Sequence, residues 1–360
     1  MANLKKFDCF KGRTIGITGN TGFKGAWLSL LLNQTGANLI GFSNENFTND
    51  KLFRVAELNS ICPTTYGCVT DYEKLKSWII GNKPQLIFHF AAESIVSRAQ
   101  NDPRNAFNTN LMGTVNLLEA VRQADFNCDV IIATTDKVYK NDERGKAFKE
   151  SDVLAGSEPY SASKVCAEFA AQAYQNLILQ ELTTSPYRKR VISVRAGNVI
   201  GGGDWSQNRI IPHCIEACLG DVPLVLRNPD AIRPWQHVLD ATHGYMLLAR
   251  HLEDQNFYIE ALNFGPYSSD FLSVEEFAKR FIKCWGTENT EIALKNSKIV
   301  ESKILKLDSQ LSRELLGWAP TFSVSMAIEK IVRWHKGYQH GYSAIDLMLS
   351  DLTDFFGEIS

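Results

Sequence analysis

The sequence predicts an α/β protein, a doubly wound parallel sheet carrying a smaller mixed α/β domain. Three observations carry this prediction. Short apolar runs alternate with helix-length stretches over the first 140 residues, the pattern of parallel βαβ units. A glycine-spaced turn joins the first run to the first helical stretch. Beyond about residue 196 the texture changes to short mixed elements punctuated by Pro212, Pro223, Pro229 and Pro234.

Each element follows from its residues. Thr14–Thr18 reads as a buried strand, and Gly25 to Leu32 as a helix packing through Trp27, Leu28, Leu30 and Leu31. Asn38–Phe42 is a second strand, Tyr72 to Ile80 a helix, and Gln85–Phe90 a further strand. Asn110 to Arg122 repeats Leu111, Val115, Leu118 and Val121 on one helical face. Asp129–Ala133 and Val191–Arg195 are strands, and Ile345 to Phe356 forms an amphipathic terminal helix. The division expected is a dinucleotide-binding domain over 1–196 with parts of about 234–262. A substrate domain takes about 197–233 and 263–360.

Composition narrows the function. In 360 residues, 44% are hydrophobic and 22% charged, which excludes extensive disorder. Lys+Arg number 38 against 40 Asp+Glu, so neither a nucleic-acid footprint nor a membrane field is expected. No apolar run approaches the roughly 18 residues of a membrane span, and Met1–Phe10 lacks a signal-like apolar stretch. Eight cysteines, none in a Cys-x-x-Cys pair, predict no metal site and reduced, buried thiols in a cytoplasmic protein.

The turn Thr18-Gly19-Asn20-Thr21-Gly22-Phe23-Lys24-Gly25 lies between the first strand and the first helix. Gly19 permits the tight turn, Gly22 a close approach to a pyrophosphate, and Gly25 close helix–strand packing. The helix N-terminus adds partial positive charge. Dinucleotide binding is therefore expected at Gly19, Thr21, Gly22, Phe23, Lys24 and Gly25. Ser43 at the end of the second strand, and Ala91 and Ala92 after Phe90, complete the surface. Ser43-Asn44-Glu45 holds no Arg for a 2′-phosphate, which favours NAD.

Two groups suggest chemistry. Tyr160 and Lys164 stand four residues apart on one helical face. A neighbouring ammonium stabilises phenolate, so the pair can take a proton from a hydroxyl while hydride leaves its carbon. Thr134-Thr135-Asp136-Lys137 follows a strand directly, at the carboxyl end that faces the ligand crevice. There Thr135 can hydrogen-bond the reacting oxygen, Asp136 can serve as acid, and Lys137 as base.

The segments TGNTGFKG, AAES, TTDK and YSASK together resemble the extended short-chain dehydrogenase/reductase family, with its Rossmann fold. RAGNVIGGGDW (195–205), NRIIP (208–212) and RNPDAIRPWQHV (227–238) are more specific. With Gly22-Phe23-Lys24-Gly25 and Asp136-Lys137 they resemble its nucleotide-sugar 4,6-dehydratases, in particular those acting on CDP-glucose. The resemblance runs from about Phe10 to about Gly341 and includes Asn263-Phe264-Gly265-Pro266.

That resemblance implies an NAD-dependent lyase. Tyr160 deprotonates the sugar 4-hydroxyl as C4 is oxidised. Lys137 removes the C5 proton, Asp136 helps the C6 hydroxyl leave as water, and hydride returns to C6. The product is a CDP-4-keto-6-deoxy-glucose, a precursor of deoxysugars for polysaccharide. Implied substrate contacts are Glu93, Ser94, Asn198, Arg209, Arg233 and His237. The resemblance also implies a homodimer, in which the helix after Asn110 and the helix of Tyr160 pair through Met112, Val115, Leu118, Phe169, Ala170 and Tyr174.

Three places depart from the CDP-glucose pattern. Glu93-Ser94 replaces Gln-Pro beside the sugar, Cys68 replaces an Asp expected at adenine, and Arg144 and Lys146 replace aromatic residues beside the sugar. They bear on which hexose is taken. Other readings are a dehydratase for a dTDP-, UDP- or GDP-hexose, a nucleotide-sugar 4-epimerase, and a non-catalytic nucleotide sensor.

Overall fold

The computed structural model describes residues 4–45, 50–181, 185–220, 222–287, 290–294 and 302–357. The strands are β1 (Thr14–Thr18), β2 (Asn38–Ser43), β3 (Thr64–Tyr66), β4 (Leu86–His89), β5 (Cys128–Ala133), β6 (Lys189–Ala196), β7 (Asn198–Ile200), β8 (Leu224–Leu226), β9 (Ile232–His237), β10 (Ala261–Phe264), β11 (Phe271–Ser273) and β12 (Ile292–Leu294). Helices of ten or more residues are α1 (Phe23–Asn33), α2 (Tyr72–Asn82), α3 (Gly113–Arg122), α4 (Pro159–Glu181), α5 (Ile210–Leu219), α6 (Val238–His251), α7 (Val274–Trp285), α8 (Val324–Gln339) and α9 (Ala344–Phe356).

Seven strands form one sheet in the order β10-β6-β5-β4-β1-β2-β3. Every pairing in it is parallel. The expected doubly wound sheet is thus present. Its strand order reverses between β1 and β4, and a ligand crevice opens at such a switch point, beyond the strands' carboxyl ends. The central strands are buried on both faces, which is why 130–133 of β5 read as a continuous apolar run rather than an alternating one. Of the seven strands of this sheet, sequence reasoning passed over two. β3 (Thr-Thr-Tyr) is a short, half-exposed edge, and β10 lies far along the chain from its partner β6.

The sheet is covered on both sides. Trp27, Leu28 and Leu31 of α1, Met246 of α6 and Phe355 of α9 belong to one apolar cluster with β1 and β4. Trp78, Leu117, Leu118, Val121 and Ile178 form the other with Phe42, Val130 and Ile132. A three-stranded sheet, β11-β9-β7, and a two-stranded one, β12-β8, lie outside the large sheet. Their core is separate, built on Ile211, Trp235, Phe277, Phe281 and Ile328. Residues beyond 263 contribute to both clusters. No helix of the described residues is long and apolar enough to cross a membrane. The cysteines are free, but they do not all follow the expected burial, since Cys284 is exposed.

Candidate active site

The turn after β1 is shaped by close approaches. Gly19 has φ +71°, and a Cβ there would stand 2.7 Å from the Ala91 nitrogen. A Cβ on Gly25 would stand 2.3 Å from the Gly19 carbonyl oxygen. Only glycine fits at either place. Gly22 begins α1 without a side-chain cap, so the first-turn amides keep their hydrogen-bonding capacity. Thr21 Oγ1 and Ser43 Oγ lie 2.6 Å apart and tie the turn to the end of β2. An uncapped helix N-terminus behind a turn that excludes side chains fits the diphosphate of a dinucleotide.

At the next strand ends, Glu158 accepts from the amides of Tyr160 (2.8 Å) and Ser161 (2.7 Å) and starts α4. Lys164 Nζ donates to the carbonyl of Ala133, at the end of β5, over 3.0 Å. The helix is thereby fastened to the strand that delivers Thr135, Asp136 and Lys137. Thr135 Oγ1 donates to Asp136 Oδ1 (3.1 Å) and accepts from the Lys137 amide (3.4 Å). Asp136 Oδ2 is buried without a partner among the described residues.

Burial sets the protonation states. It pushes Tyr160 up to about 12, with the nearby Thr135 hydroxyl opposing it. It pulls Lys164 down to about 7, helped by Lys24 and opposed by Glu168. Lys24 falls to about 8, again by burial first and then by Arg209. Burial raises Asp136 above the usual carboxyl range, although Lys137 and Arg233 oppose it.

These groups meet at an open cleft of about 300 Å³. Of the residues chosen from sequence, Lys24, Ser94, Thr135, Asp136, Lys137, Tyr160, Asn198, Arg209 and Arg233 line it. Lys164 lies buried behind them. Gly19, Thr21, Gly22, Phe23, Gly25, Ser43, Ala91 and Ala92 belong to the adjoining turn and strand ends. The cleft also takes in Asp204, Asn208, His213 and Arg227. Sequence reasoning quoted the blocks holding Arg227 and Asn208 without choosing those side chains.

Two substrate contacts implied by resemblance are corrected. Glu93 does not line the cleft; its carboxylate accepts from Arg98 Nη2 (2.8 Å) and from the Ile95 amide (3.1 Å). His237 is fully buried against Trp27 and Phe322, and its Nδ1 caps α6 by accepting from the Leu239 amide. The departures at Arg144 and Lys146 also lose their weight. Both side chains are mostly exposed and pair with Asp142 and Asp152. Their segment packs instead on 303–308, through Phe148↔Leu307 and the bonds of Glu143 to the Lys303 and Ile304 amides. Cys68 accepts from Thr70 Oγ1, and Asp71 caps α2 by accepting from the Lys74 amide.

Sequence reasoning also missed what supports the cleft. Glu168 accepts from Arg195 Nε (2.8 Å) and Nη2 (2.9 Å) and from Thr134 Oγ1 (2.5 Å). Arg195 Nη1 donates to Tyr139 Oη (2.9 Å), which donates to Asn263 Oδ1 (2.6 Å). The Lys164-to-Glu168 spacing of one helical turn was the available signal.

Comparison with known proteins agrees with this geometry. Residues 17–331 match the family model described as GDP-mannose 4,6 dehydratase. A CDP-glucose 4,6-dehydratase of Salmonella typhimurium is 35% identical over 96% of this chain and 97% of its own. A UDP-glucose 4-epimerase of Mycoplasma pneumoniae is 27% identical over 71% of this chain and 77% of its own. Among solved structures, the dTDP-glucose 4,6-dehydratase of Bacillus anthracis, in complex with NAD, superposes with a TM-score of 0.76. It is 22% identical, and the match covers 94% of this chain and all of that one. The fold, the cleft and the matches converge, and the chain belongs to the GDP-mannose 4,6-dehydratase family.

Proposed function

We propose that the protein is an NAD-dependent nucleotide-sugar 4,6-dehydratase converting CDP-D-glucose to CDP-4-keto-6-deoxy-D-glucose and water. The observation that carries this reading is one cleft holding the Tyr160 phenol, the Thr135 hydroxyl, the Asp136 carboxyl and the Lys137 amine. Identity to a CDP-glucose 4,6-dehydratase over nearly the whole of both chains supports the choice of nucleotide sugar.

NAD supplies the acceptor that takes hydride from C4 and returns it at C6. The chain's residues do the rest. The glycine turn and the N-terminus of α1 bind the cofactor diphosphate. Tyr160 takes the 4-hydroxyl proton while Thr135 hydrogen-bonds that oxygen. Phenolate needs cationic surroundings, which Lys164 and the oxidised nicotinamide provide. The new ketone acidifies the C5 proton, and Lys137 removes it. Asp136, whose burial favours the protonated form, gives its proton to the departing C6 hydroxyl. Arg209, Arg233 and Asn198 hold the nucleotide and its diphosphate, the guanidinium forks matching phosphate oxygens.

The same reading takes 1–196 with parts of 234–262 as the NAD-binding domain, and the rest as the substrate domain, of a cytoplasmic homodimer. Exposed Met112 and Phe169 support the pairing face. Leu118 drops out of that face because it is fully buried within the monomer. A 4-epimerase is the second reading, favoured by relatives of that name. It leaves Asp136 and Lys137 without a task.

Mass spectrometry after incubation with NAD and, separately, CDP-glucose, dTDP-glucose, UDP-glucose and GDP-mannose tests the proposal. A product lighter by one water from CDP-glucose alone is expected. Water loss from another donor overturns the nucleotide choice. Isomerisation without a mass change overturns the dehydratase in favour of the epimerase.

A further inference from the structure

Chemistry at C4, C5 and C6 reads the sugar and is blind to the base. Choice of nucleotide falls to residues away from the reacting groups, and the cleft has such residues. Tyr160, Asp136 and Lys137 stand at the start of α4 and just beyond β5, on the large sheet. Arg209 acts electrostatically on Tyr160, and Arg233 on Asp136. The charge of Arg227 bears instead on His213 of α5. Arg227 directly follows β8, which belongs to the smaller domain with its separate core.

An amide holds this guanidinium. Arg227 Nη2 donates to Asn208 Oδ1 over 2.8 Å. Asn208 has φ +63°, in the left-handed region that Asn and Asp enter more readily than other side chains. Both residues are exposed and line the cleft. Val225 of β8, itself 42% exposed, and Val274 at the start of α7 line it too. A polar pair with apolar neighbours suits a flat ring whose edge is polar and whose faces are not. The pair has one kind of group to offer such an edge. Arginine carries five N–H donors and no acceptor, and an Asn whose carbonyl is engaged keeps its NH2. Cytosine sets two acceptors, O2 and N3, side by side. In uracil and thymine N3 carries a hydrogen, so a donor there meets a donor and a contact is lost.

Building on the dehydratase reading of the same cleft, we propose that Asn208 and Arg227 select cytosine over uracil and thymine by donating to its O2 and N3. The hydrogen bond between the two side chains fixes which end of the Asn208 amide remains for the ligand. The selection is made on the base alone and needs neither the hexose nor turnover.

Calorimetric titration of the NAD-loaded protein with CDP and with UDP tests this, using wild type, Arg227→Met and Asn208→Asp. Wild type should bind CDP more tightly than UDP by roughly tenfold or more, the scale of one good paired contact to a base. Arg227→Met removes donors and a positive charge. Both ligands should weaken, and the CDP-to-UDP ratio should fall close to one. Asn208→Asp keeps the backbone conformation, which Asp also tolerates, and turns the remaining NH2 into an acceptor suited to N3–H. Its added charge weakens both diphosphates alike, so the ratio is what is read, and UDP should now bind at least as tightly as CDP. A ratio unchanged in Arg227→Met, or a wild type that holds the two ligands equally, overturns the assignment. If wild type prefers CDP and the variants lose that preference, while CDP-glucose yields no product lighter by one water, the base choice stands and the dehydratase reading has failed instead.

Discussion

Burial pushes the Tyr160 phenol up to about 12 and the Lys164 ammonium down to about 7, so each is pushed toward its neutral form. Replacing Tyr160 by Phe removes the proposed acceptor of the 4-hydroxyl proton. Turnover should fall by roughly 10²–10⁴-fold, with nucleotide-sugar binding by calorimetry retained; near-normal turnover would exclude the role. Lys137→Ala should slow dehydration and also wash-in of solvent deuterium at C5. Deuterium entering at the normal rate would assign the C5 base elsewhere. For Lys164 the sign follows from linkage. Its folded pKa lies below its unfolded one, so between about pH 7 and 10.5 the unfolded chain binds more protons. The folded state is therefore penalised below that window and gains stability as pH rises through it. Lys164→Met escapes the penalty, and its denaturant midpoint should drop relative to wild type between pH 7 and pH 9.5.

At the scale of elements, the fastening of α4 to β5 and β6 is what keeps Thr135 and Asp136 in register with Tyr160. The buried Glu168–Arg195 pair is its centre. Glu168→Ala strands the Arg195 charge, at a cost of about 3–5 kcal/mol, and calorimetry should record a lower melting temperature. An unchanged melting temperature would mean that Arg195 finds another partner. This network also explains what could be read from sequence and what could not. Strands β1, β4 and β5 announce themselves because both faces are buried and each centres on apolar residues: Ile15 and Ile17, Leu86–Phe88, and Val130–Ala133. The glycine turn is legible because backbone contact forbids any side chain. Glu93 and His237 were misread because a matched segment fixes a neighbourhood and not a side-chain direction. One turns to Arg98 and the other to a helix cap. Arg144 and Lys146 were misread for the same reason, since their partners lie two and six residues along the chain.

At the scale of the whole molecule, the face bearing Met112 and Phe169 is the place to test assembly. Phe169 is 52% exposed on α4, the helix that also carries Tyr160 and Lys164. Phe169→Glu should convert a dimer to a monomer in sedimentation, with the melting temperature nearly unchanged. If wild type already sediments as a monomer, the homodimer is excluded.

The chain is slightly acidic, with a net charge of -2. Its cleft nevertheless gathers Lys24, Lys137, Arg209, Arg227 and Arg233 against Asp136 and Asp204. Such a cluster draws a diphosphate inward, but it reads only the part of the ligand that the proposed chemistry leaves untouched. Substrate and product carry the same nucleoside diphosphate and differ at two carbons of the sugar. The cations therefore hold both with similar strength, and the departing ketone competes with the arriving alcohol for one seat. An enzyme of this kind is throttled by its own output, and sustained flux depends on whatever next consumes the keto sugar.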